Sequence, residues 1–141
     1  MLEDIATEAA AALAYTGVGL ALMVLGFVVV DILTPGSLRT QIWVERNRNA
    51  SILVASNLFG VGVIVATAIW TSHGAIGEGV LSAAVYGVIG LFAMAVSFLL
   101  LDLLTPGKFR DVVDDQTIHP AVWVTASLHI AVALVVAAAL S

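Results

Sequence analysis

The stretch "AAAALAYTGVGLALMVLGFVVVDILTPGSLR", residues 9–39, decides the fold of this 141-residue chain. Between Glu8 and Asp31 it carries 22 consecutive residues without a formal charge. A helix of roughly 20 mainly apolar residues crosses a hydrocarbon core of about 30 Å. Residues 9–33 are therefore a transmembrane span, ended by "TPG". The same pattern recurs along the chain. Arg48 to Glu78 and Glu78 to Asp102 enclose two further gaps, and no Lys, Arg, Asp or Glu follows Asp115. Spans are expected at 9–33, 50–72, 80–103 and 120–140, within a single transmembrane domain of residues 1–141. Charged residues make up 11% of the chain and apolar ones 61%. Soluble domains are nearer one quarter charged, so four such runs leave too little polar surface to face water. Residues 1–8, "MLEDIATE", are acidic rather than basic, and span one is expected to be retained rather than cleaved as a signal peptide.

Several function classes fall away on composition. Without cysteine there is no thiolate zinc site, iron–sulfur ligation or thioether haem. Five basic residues against ten acidic ones do not suit nucleic acid, whose binding depends on clustered Lys and Arg. No phosphate-cradling glycine loop or nucleophile elbow is present, so no catalytic residue, cofactor or metal is assigned.

All five basic residues lie in two loops: Arg39, Arg46 and Arg48 after span one, Lys108 and Arg110 after span three. Cytoplasmic loops carry the excess of Lys and Arg. Both TPG loops are thus expected in the cytoplasm, with both termini and the central "TSHGAIGEG" loop outside. Trp43 suits the inner interface, and Tyr15 and Trp70 the outer one.

Shifting the chain by 71 positions pairs residues 15–70 with 86–141 without a gap, and 18 of the 56 pairs are identical. Tyr15, Gly19, Met23, Phe27 and Asp31 pair with Tyr86, Gly90, Met94, Phe98 and Asp102, spaced by four along one helical ridge. Each copy contains two spans, so the copies share one membrane polarity: a parallel repeat of two two-helix units. Ser56 and Gly60, matched by Ser127 and Ala131, are expected to let the helices of spans two and four approach closely.

The turns repeat as well. Pro35-Gly36 and Pro106-Gly107 fit the two central positions of a type II turn, with glycine supplying positive φ. Beyond each turn, apolar residues at helical spacing (Leu38 and Ile42; Phe109, Val112 and Val113) predict a short interfacial helix. The first is basic, the second acidic.

Asp31 and Asp102 sit in the last turn of their helices, where the macrodipole disfavours an acid. Arg39 and Arg110, eight residues on, are the expected compensating charges, with Thr34 and Thr105 as further hydrogen-bond donors. Read structurally, these groups brace the turn; read functionally, the acids are an ion or proton site. Within the spans, Asn57 and His129 invite a hydrogen bond with one another or with Ser56 and Ser127, or a proton relay. A haem between two histidines would require a symmetry mate of His129, and no cofactor is expected.

"DILTPGSL" followed by "NRNASILVASNLFGVGV" resembles the membrane family called domain of unknown function 350, in its TPG turn, asparagine-led helix start and glycine-bearing second span. The closing "AVALVVAAALS" is only loosely like the family's glycine-containing end. The resemblance covers nearly the whole chain. It implies a bacterial or archaeal plasma-membrane location, no established activity, and suspected roles in membrane stress or envelope maintenance beside partner proteins. The expectation that follows is a non-enzymatic membrane protein in contact with the lipid bilayer, acting through self-association or membrane and envelope partners. Alternatives are an oligomeric channel or transporter subunit using Asp31, Asp102, Asn57 and His129, and an accessory subunit of a larger membrane complex.

Overall fold

A computed structural model describes residues 2–34, 36–72, 75–104, 109–115 and 117–141; for residues 2, 101, 104, 109, 110 and 114 it describes the backbone alone. The chain is all-α among the described residues. Its elements are α1 (Leu2–Leu33), α2 (Leu38–Trp43), α3 (Arg48–Trp70), α4 (Ile76–Leu104), α5 (Phe109–Asp114) and α6 (Pro120–Leu140). α1, α3, α4 and α6 are each long and apolar enough to cross a membrane. At 1.5 Å per residue, even the 21 residues of α6 reach about 32 Å.

Local chemistry explains the helix ends. α1 begins before the expected span because Glu3 and Asp4 sit in its first turn, where the dipole favours acids, and an alanine run follows. α3 starts two residues early because the Asn47 side chain caps it, accepting from the Ala50 amide at 3.0 Å. His119 does the same for α6, its Nδ1 accepting from the Ala121 amide at 3.1 Å, with Pro120 inside the start. Gly36 has φ +92°, the positive value that a type II turn requires at its second central position. Pro35 and the whole of the second turn, including Thr105, Pro106 and Gly107, lie outside the described residues.

Helix boundaries recur at the 71-residue offset: Leu33 and Leu104 end α1 and α4, and Leu38–Trp43 corresponds to Phe109–Asp114. α2 and α5 do more than rest on a surface. Leu38 and Val113, each 1% exposed, plug one end of the bundle together with Val30, Ala50, Leu53, Val54 and Val122. Burial of a side chain of that size stabilises by about 1.5–3 kcal/mol.

α3 is the central helix and packs against α1, α4 and α6. Leu22, Val61, Val65 and Leu91 join α1, α3 and α4; Ile64, Met94 and Ala133 join α3, α4 and α6. Two glycines set the spacing. A Cβ on Gly60 would stand 2.9 Å from Ala133 Cβ, and one on Gly90 would collide with Ile64. The close approach of α3 to α6 therefore runs through Gly60 and Ala133. The matching small residues of span four, Ser127 and Ala131, were expected to support close approach too but are exposed. α6 turns Val122, Ala126, His129, Ala133 and Ala137 inward, a stripe at three- and four-residue steps that leaves 127 and 131 on another face.

Candidate functional site

Polar groups gather at two levels, the TPG end of the bundle and its interior. At the TPG end, Asp31 is half-buried and its Oδ1 accepts a hydrogen bond from the Leu38 backbone amide at 2.9 Å. That amide opens α2. The unsatisfied donors of a helix start answer the acid that closes α1. Arg39, by contrast, is exposed, and among the described residues no ion pair joins it to Asp31. The acid at 31 is thus compensated by backbone, not by the guanidinium expected from the sequence. Thr34 is buried beside this joint, its amide bonded to the Val30 carbonyl at 2.9 Å. Asp102 is exposed near the end of α4; the Arg110 side chain and Thr105 lie outside the described residues.

The strongest polar assembly involves residues that the sequence did not single out. Asn49, 1% exposed, shares the two hydrogens of its Nδ2 among the carbonyls of Val112 (3.0 Å), Asp115 (3.2 Å) and Thr117 (2.9 Å). Its Oδ1 accepts from the His119 amide at 3.1 Å. Asn47 donates through Nδ2 to the Val113 carbonyl. Asn47, the N-cap of α3, and Asn49 in its first turn therefore clamp α5 and the segment leading into α6. The signal was present: a second asparagine inside the helix, where asparagine is a poor former, needs a tertiary partner. Nearby, the Asp115 carboxyl is held below the usual carboxylate range, chiefly by the Thr117 amide donating to its Oδ1 and secondly by the Thr117 hydroxyl, both at 2.9 Å.

In the interior, Ser56 and His129 meet across α3 and α6, with Oγ 3.3 Å from Nδ1. Ser56 also donates its single hydroxyl hydrogen to the Leu53 carbonyl at 2.9 Å. Both bonds form together in the tautomer whose Nδ1 carries the proton and donates to Ser56, which leaves Nε2 as the acceptor. Nε2 is buried without a hydrogen-bond partner among the described residues. The Phe98 ring stacks on the imidazole, centroids 5.4 Å apart and planes 26° apart. Asn57 makes no bond to His129. It lies on a different face of α3, beside Gly26, Val30, Leu91 and Met94, next to a cavity of about 10 Å³. Its Oδ1 is buried and has no partner among the described residues. Ser127 faces outward and donates to the Trp123 carbonyl at 2.8 Å.

At the opposite end, Ser72 Oγ donates to the Ile69 carbonyl at 2.7 Å and is hydrogen-bonded to Tyr15 Oη at 3.1 Å, tying α1 to the residues after α3. The opposite end is therefore also tied by side chains.

Four apolar helices, joined by polar clamps at both ends and by buried hydrogen bonds between, define a multi-pass integral membrane protein. The chain belongs to the family Domain of Unknown Function (DUF350), whose model matches residues 4–140. It is 36% identical over 140 residues to a UPF0719 transmembrane protein of Mycolicibacterium paratuberculosis, covering 99% of this chain and 93% of that one. It is 38% identical over 127 residues to a UPF0719 transmembrane protein of Mycobacterium bovis, covering 90% of this chain and 84% of the relative. No solved structure matches it significantly.

Proposed function

We propose that this protein is a non-enzymatic component of the plasma membrane that works by assembling with further copies of itself and with membrane or envelope partners. The observation that carries the reading is the unequal seating of the two matching ridges. On α4, the middle of the ridge, Gly90, Met94 and Phe98, is buried against α3 and α6, while Tyr86 and Asp102 at its ends are exposed. On α1, Tyr15, Gly19, Met23, Phe27 and Asp31 are all only half-buried. Gly19 meets Val65 and Ile69 of α3. If the two units are copies, the α1 ridge has the shape of a surface that receives a second helix. Small residues support such contacts where lipid offers no hydrophobic drive. The basic loops favour a cytoplasmic position for both TPG ends, with both termini outside.

The absence of native cysteine makes the test clean. Single cysteines at Leu20 or Met23 should yield disulfide-linked dimers on oxidation in native membranes. Cysteines at Leu134 or Val135, exposed on α6, should not. Monomers alone at both α1 positions, or equal cross-linking from α6, would sink the reading.

A second reading, a channel or transporter subunit within an oligomer, is favoured by the two buried acceptors, Asn57 Oδ1 and His129 Nε2. It requires ion flux from reconstituted protein that is lost in Asn57→Leu or His129→Leu. An accessory subunit of a larger complex would instead co-purify with that complex in fixed ratio.

A further inference from the structure

α1 and α2 enclose an open groove of about 770 Å³, lined by Phe27, Arg39, Thr40, Trp43 and Val44. We propose that this groove binds the headgroup and upper acyl chain of an anionic phospholipid from the leaflet at the TPG end. The proposal is independent of self-association.

Three features select that occupant. The first is apolar surface at the end of a membrane span: Trp43 is 67% and Val44 75% exposed, and Phe27 lies one turn before Asp31 on α1. Amphipathic aromatic side chains settle at the headgroup level. The second is an unanswered cation. Asp31 is engaged by the Leu38 amide, so Arg39 stands at the groove with no ion pair among the described residues. A guanidinium presents a planar donor fork that matches a phosphodiester, and the Thr40 hydroxyl stands beside it. The third is charge asymmetry. The segment around α2 carries Arg39, Arg46 and Arg48 against Glu45, a basic excess, whereas α5 and the residue after it carry Arg110 against Asp111, Asp114 and Asp115, an acidic one. An anionic lipid is drawn to the first and repelled by the second. A soluble phosphate would satisfy Arg39 but leave the apolar walls uncovered. The volume lies within the roughly 300–1,000 Å³ of small-molecule sites.

The experiment is native mass spectrometry of the full chain, released from mixed micelles of phosphatidylglycerol and phosphatidylcholine. The wild type should retain one phosphatidylglycerol in preference to phosphatidylcholine through delipidation. Arg39→Gln should weaken that retention about tenfold, the scale of a lost charge-assisted hydrogen bond. Arg39→Lys should recover part of it, and Trp43→Ala should weaken both lipids. Arg48→Gln, outside the groove, is the control for general loop charge. Equal retention of the two lipids by the wild type overturns the proposal. So does an Arg48→Gln effect as large as that of Arg39→Gln. All of these side chains are exposed, and a thermal melt of each variant should match the wild type. Loss of dimers rather than of lipid in Trp43→Ala would assign the groove to a second copy and overturn the lipid reading.

Discussion

Asp31 and Leu38 are joined across the Pro-Gly turn, the Leu38 amide donating to the aspartate Oδ1 at 2.9 Å. This one bond links the end of α1 to the start of α2 and sets the direction in which the chain leaves the membrane span. It also changes what substitutions at position 31 should do. An amide side chain still offers an oxygen, so Asp31→Asn should cost little. Asp31→Ala removes the acceptor and should destabilise by about 1 kcal/mol, as loss of a helix-starting cap does. Exchanging the charges, Asp31→Arg with Arg39→Asp, should not restore stability, because no ion pair joins them. Thermal unfolding of the three variants in one detergent decides the matter. Rescue by the charge exchange would return the role to Arg39.

The larger architecture was legible in the sequence because a membrane imposes a length. The 22 uncharged residues before Asp31 can form a spanning helix and little else. The first turn and the two short helices were legible too, since Pro-Gly and the spacing of Leu38 and Ile42 are local signals. The faces of the helices were not. α6 is apolar around its whole circumference, so no contrast marks His129 and Ala133 as inward and Ser127 and Ala131 as outward. Asn57 and His129 looked like partners by depth, yet they occupy different faces once α3 is packed on three sides. The Asn49 clamp was hidden for another reason: its acceptors are backbone carbonyls 63 to 68 residues away, which any sequence would supply.

That clamp predicts the most damaging polar substitution in the chain. Asn49→Ala takes the shared donor from three carbonyls and the acceptor from the His119 amide, and should destabilise by about 2–3 kcal/mol, given roughly 1 kcal/mol per hydrogen bond. Asn49→Asp should fare no better. Its shape is the same, but it directs an oxygen at three carbonyl oxygens. Hydrogen exchange should accelerate in residues 109–122 while α4 stays protected. Unchanged exchange in that segment would show that α5 is held by Leu38 and Val113 packing alone.

Ser56 and His129 supply the interhelical bond nearest the middle of the bundle. Ser56→Ala leaves the Nδ1 proton without an acceptor, and His129→Leu removes the donor and the ring that stacks on Phe98. In a double-mutant cycle the two changes should couple by about 1 kcal/mol, with Ser56→Ala costing less once His129 is already leucine. Additive effects would mean that the 3.3 Å contact contributes nothing beyond packing.

Two glycines on α3 offer a sharper test of the packing, because they lie only two residues apart on the same helix. A Cβ on Gly60 meets Ala133 Cβ at 2.9 Å and the Met94 side chain at 3.1 Å, whereas one on Gly62 meets nothing within 4 Å. Ala133 has no side chain that can swing aside, so relief at position 60 requires α3 and α6 to separate. Gly60→Val should therefore destabilise by about 1–3 kcal/mol, the cost of overpacking a well-filled interior. Gly62→Val adds a β-branched side chain on an open face and should be near neutral or slightly stabilising, since glycine is itself a weak helix former. Unfolding midpoints measured in one detergent compare the pair directly. Equal midpoints would mean that α3 and α6 are not in contact at Gly60, and the inward face assigned to α6 would have to be redrawn.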